Sequence, residues 1–181
     1  VDGAAVITAA DTLDIDASAT SLAKPNFASP FLFAAAWGES TAEARTRVAG
    51  TSAITATNAL TVNAVTHSEV EVTASVNSIN KPIDAVFAKT RTRIATEATV
   101  GEDTTTTGGS VDVTATTTAE IVTTADAKNT GGSGVGMAVA IGDTETDTSA
   151  TLGGTVRALS GDVNVIADAD IEENTSANAA T

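Results

Sequence analysis

Four short segments of the chain place apolar residues at every second position: Leu13-Asp14-Ile15-Asp16-Ala17, Leu60-Thr61-Val62-Asn63-Ala64, Val111-Asp112-Val113-Thr114-Ala115 and Val163-Asn164-Val165-Ile166-Ala167. Apolar side chains at i, i+2 and i+4 share one face of a strand, whereas a helix needs them at i, i+3, i+4 and i+7. The pattern predicts strands. Their first residues follow one another at intervals of 47, 51 and 52. A fixed period of that size predicts a repeat architecture, in which each unit buries its apolar face by stacking on the next.

Two further elements recur in each unit. Phe31 to Ala36, Ala85 to Ala88 and Val135 to Ile141 follow their cassettes by about twenty residues. Ile7-Thr8-Ala9, Ile54-Thr55-Ala56 and Val156-Arg157-Ala158 precede theirs. Before Val111 no such element is evident, and Gly101 to Gly109 has the composition of a loop. Turn residues also predict loops at Ala23 to Asn26, Asn77 to Pro82, Lys128 to Gly134 and Gly142 to Glu145. No composition shift divides the chain, so residues 1–181 are expected to form one continuous segment with units near 1–53, 54–104 and 105–155 and a partial unit at 156–181. Both ends cut through a unit, which leads to the expectation that further repeats or further copies continue the stack.

Composition narrows the architecture. Ala and Thr dominate, with three Pro, four Phe, one Trp and no Tyr or Cys. Branched side chains favour a pleated backbone, and so few large residues would fill the thick core of a globular sandwich poorly. A parallel β-helix, expected to be right-handed, offers a narrower interior. With two coils per fifty-residue unit and coils about 4.8 Å apart, the chain would form seven or eight coils and a rod about 35 Å long.

Charge limits the partners. Twenty-three acidic residues against nine basic ones, for a formal net charge of −14, disfavour nucleic acid and anionic membrane, which require concentrated Lys and Arg. The absence of Cys excludes disulfides and Cys-ligated metal, and the apolar runs around Phe31 to Trp37 and Val135 to Ile141 are too short to insert as a membrane span. An acidic, Cys-free chain rich in Thr and Ala fits a secreted bacterial surface protein.

The string Gly131-Gly132-Ser133-Gly134-Val135-Gly136-Met137-Ala138-Val139-Ala140-Ile141, followed by Ala150 to Ala158 and by Gly161-Asp162-Val163-Asn164-Val165-Ile166-Ala167, resembles the repeats of large bacterial surface proteins of the filamentous-haemagglutinin-like and giant adhesin β-helix type. The first half resembles them more loosely. The resemblance implies an extracellular or cell-surface rod or filament used in attachment, without catalytic residues and without a cofactor.

Several patterns invite specific chemistry. Gly131 to Gly136 resembles half of a calcium-binding nonapeptide, but Gly136 stands at the required Asp position. Glu102-Asp103 and Asp143 to Asp147 offer oxygen ligands for calcium without the spacing of a dedicated loop. His67 is the sole His and has no Cys partner, so a polysaccharide lyase or epimerase, the main alternative on a β-helix, finds few catalytic groups here. Thr-x-Thr pairs at Thr55/Thr57, Thr90/Thr92, Thr116/Thr118 and Thr144/Thr146/Thr148 raise an ice-binding reading, weakened by their uneven spacing. Glu145-Thr146-Asp147 begins 52 residues beyond Arg93, so acidic residues occupy the place that Arg91 and Arg93 hold one unit earlier, which predicts charge-matched contacts between coils or between rods. Phe31, Phe33 and Trp37 share a strand face. They either plug the core or form an exposed interface. The sequence therefore predicts a non-enzymatic module that associates with itself, end to end or laterally, or with another cell-surface molecule.

Overall fold

The computed structural model describes residues 1–79, 81–130 and 134–180; Asn80 of one expected loop and Gly131 to Ser133 of another lie outside these. The described chain is all-β and its strands form three parallel sheets. The first is narrow, with β1 (Val6–Ala9), β5 (Ala53–Ala56), β8 (Thr105–Gly108) and β11 (Thr155–Ala158) side by side. The second holds β2 (Leu13–Ala23) and its continuation β3 (Asn26–Ser29), then β6 (Ala59–Ile79), β9 (Ser110–Thr130) and β12 (Val163–Ala180). The third holds β4 (Phe33–Val48), β7 (Ile83–Val100) and β10 (Val135–Leu152).

The four cassettes stand in register, Leu13 beside Leu60, Leu60 beside Val111 and Val111 beside Val163. Each neighbour along a sheet is therefore one full repeat away. The chain visits the three sheets once per fifty residues, an arrangement consistent with a parallel β-helix of one coil per repeat. This corrects the expectation of two coils per unit. Four rungs at about 4.8 Å span only about 15 Å from first to last, not 35 Å.

The discrepancy arises from strand length. Strands β6 and β9 each run for 21 residues, about four times the length of the five-residue cassettes. Beyond the cassette the alternation continues, but with Thr and Ser at many inward positions, so it no longer looks hydrophobic. Other expected loops are strands for the same reason. Gly142 to Glu145 lies inside β10, paired throughout with β7, and Thr105 to Gly108 supplies the element missing before Val111. Lys24-Pro25 does interrupt the second sheet, at its outer strand, where the Pro25 carbonyl still accepts from the Thr73 N–H of β6 at 3.1 Å.

The second and third sheets face each other, and small side chains fill the space between them. Two apolar clusters result. One gathers Val70, Val72, Val86, Ile94 and Ile121; the other gathers Val48, Leu60, Val62, Val100 and Val111 beside the narrow sheet. Between them runs a band of buried hydroxyls. Thr96 donates to Thr66 at 2.7 Å and shares a 2.7 Å bond with Thr117, which is in turn 2.7 Å from Thr148. Ser21 bonds Ser40 at 2.7 Å and Ser68 at 3.0 Å, and Thr90 bonds Thr123. Pairing among themselves removes most of the desolvation penalty that a buried hydroxyl would otherwise carry. Thr90 and Thr92 are fully buried and so do not belong to a surface Thr array; Thr90 joins this band, whereas the Thr92 hydroxyl has no partner among the described residues.

Candidate interaction surface

The outer face of the third sheet collects most of the residues singled out in the sequence. Alternation turns Ala34 and Ala36 inward and leaves Phe33 and Trp37 on the outside, 60% and 57% exposed. Parallel register then builds a patch across three strands. Ala85 lies between Phe33 and Met137, Phe87 between Ala35 and Val139, and Lys89 between Trp37 and Ile141. Ile83 and Val135 extend it at one end, and Phe31, in the segment before β4, is 73% exposed next to it. The Lys89 ammonium sits 4.9 Å from the centre of the Trp37 ring, a cation–π contact that bounds the patch. Scattered exposed apolar residues are ordinary, whereas here they gather across three neighbouring strands.

The same face becomes charged further along the strands. Arg91 lies 3.6 Å from Asp143 and Arg93 lies 3.2 Å from Glu145, each pair joining adjacent rungs. Arg45 bridges Glu43 at 3.0 Å and Glu97 at 3.6 Å. The structure thus brings Arg91, Arg93 and Glu145 together as contacts between successive coils of one chain. Asp147 pairs with none of these; it stands beside Ala95, with Glu43 on the other side. Because Ala95 is small, a shallow groove of about 440 Å³ opens here, lined by Thr41, Glu43, Arg93, Glu145 and Asp147. The pairs are half exposed, so each contributes only ~0.2–1 kcal/mol.

Elsewhere the charges are dispersed. His67 lies on the outer face of the second sheet beside Thr20 and Thr118. Lys24 holds the Glu69 carboxylate there, and that hydrogen bond, followed by the nearby charges of Glu69, Glu71 and Glu120, raises its pKa above the usual lysine value. Glu102 and Asp103 occupy an exposed turn before β8. Among the described residues no group of three or more His, Asp or Glu is arranged to hold a metal, and no helix is long and apolar enough to cross a membrane.

Sequence reasoning identified the aromatic half of the patch but missed Met137, Val139 and Ile141. Their signal was present as an apolar run, but only the register shows that they lie two rungs from Phe33 and Trp37 on one surface. No family model, no curated protein and no solved structure matches the chain.

Proposed function

We propose that the protein is a non-catalytic structural module of a right-handed β-solenoid rod, working at a bacterial cell surface or in an extracellular filament by lateral association with other copies or surface molecules. The observation that carries this reading is the apolar field of Phe33, Trp37, Met137, Val139 and Ile141 on an otherwise acidic molecule. Such a field lowers its free energy by pairing with another apolar surface, and the net charge of −14 limits how indiscriminately it does so. The resemblance of the second half to adhesin-type repeats points to the same setting.

The double variant Phe33→Ser/Trp37→Ser tests it by sedimentation velocity. Self-association is expected to weaken at least about tenfold, the scale of losing two large aromatic anchors, while the β-sheet circular dichroism stays unchanged because both side chains point outward. Undiminished association would remove the patch from the account.

A second reading rests on the groove. Glu43 and Asp147 stand two ladder steps apart, about 9.6 Å between backbones, near the ~6.5–9.5 Å carboxylate separation used by inverting glycosidases. That reading requires polysaccharide cleavage that disappears in Glu43→Gln.

A further inference from the structure

At the bend joining the second and third sheets, the ends of β6 and β9 meet the start of β7, and this corner holds oxygen atoms that the fold leaves unsatisfied. Asp84 is fully buried. Its Oδ2 accepts a 2.6 Å hydrogen bond from the Ser78 hydroxyl, while its Oδ1 has no partner among the described residues. Asn129, the register neighbour of Ser78 on the next rung, is 3% exposed. Its Nδ2 donates to the Lys81 carbonyl at 2.6 Å, which fixes the amide orientation and leaves Oδ1 without a partner among the described residues.

None of the ion pairs among the described residues involves Asp84. Gly136 is its partner on β10, so that strand brings no side chain over the carboxylate. A Cβ at Gly134 would collide with the Asn129 amide and the Lys81 carbonyl, so glycine there keeps the corner open to both. A buried carboxylate that lacks a cation or a full set of donors is among the most costly arrangements a protein can hold.

We propose that Asp84, Asn129 and Ser78 form a binding site for a hard cation, of which calcium is the natural probe. Carboxylate, amide and hydroxyl oxygens are the ligands such ions prefer, with water and backbone carbonyls such as that of Lys81 available to complete the shell. A single carboxylate sets a modest affinity, about millimolar, the range of extracellular calcium modules. The site ties the end of the second sheet to the beginning of the third, so its occupation stabilises the bend across two rungs. It is separate from the apolar patch and does not depend on self-association.

The test is thermal unfolding of the purified chain in about 50 mM calcium chloride, tens of times the expected dissociation constant, against chelator, with sodium chloride matching the ionic strength. A rise in melting temperature of about 4 °C or more is expected for occupation well above the dissociation constant. Asp84→Asn should abolish the rise, and Glu102→Gln/Asp103→Asn should retain it in full. A wild-type melting temperature that calcium does not move overturns the site, as does a shift that survives in Asp84→Asn. Should Asp84→Asn fail to fold, Asn129→Asp decides the matter by calcium titration. The added carboxylate is expected to tighten binding about tenfold, and an unchanged midpoint overturns the proposal.

Discussion

Thr117 shows how single residues hold this interior together. It is fully buried between the two apolar clusters and its hydroxyl bonds both Thr96 and Thr148 at 2.7 Å. Thr117→Val keeps the shape and removes the hydroxyl, leaving its partners short of a hydrogen bond. Urea unfolding should show a loss of about 1–2 kcal/mol, against less than about 0.5 kcal/mol for Thr118→Val, whose side chain faces outward. The sequence could not separate these two threonines. Thr serves equally well inside a hydroxyl band and on a solvated face, so alternation is legible only where Val, Ile or Leu marks the inward side. Gly142 misled for a related reason. It resembles a turn residue, yet it lies in mid-strand, where a Cβ would run into Glu173 and Thr175 from the facing sheet.

At the scale of elements, the cassettes were legible because burial acts most strongly there. Leu60, Val62, Val111 and Val113 are essentially inaccessible, and so are Ala64 and Ala115. Strand ends were not legible, since backbone pairing with a neighbouring rung carries β6 and β9 well past their apolar starts. Pairing in exact register also imposes a cost that composition hides. Glu69, Glu120 and Glu172 stack on successive strands of the second sheet, with Lys24 holding the first of them. Like charges directly across neighbouring strands are destabilising. Glu120→Gln is therefore expected to raise stability by a few tenths of a kcal/mol at low ionic strength, and the gain should vanish in high salt as screening removes the repulsion. Chemical unfolding at two salt concentrations measures both.

For the whole molecule, the account depends on how often the chain winds. One coil per repeat places Phe33 and Met137, 104 positions apart in sequence, two rungs apart on one surface, and it alone creates the apolar field, the ladders of Arg91 with Asp143 and Arg93 with Glu145, and the corner at Asp84. Two coils per repeat would scatter all three. The sequence carried the period but not the winding number, because small residues fit a slender triangular coil and a broad flattened one equally well. Backbone amide contacts in the NMR spectrum of the isotopically labelled chain test the winding most directly. The account predicts parallel-strand contacts linking Leu60 with Val111 and Val62 with Val113. Contacts joining these cassettes to residues about twenty-five positions away, or an antiparallel pattern between them, would contradict it.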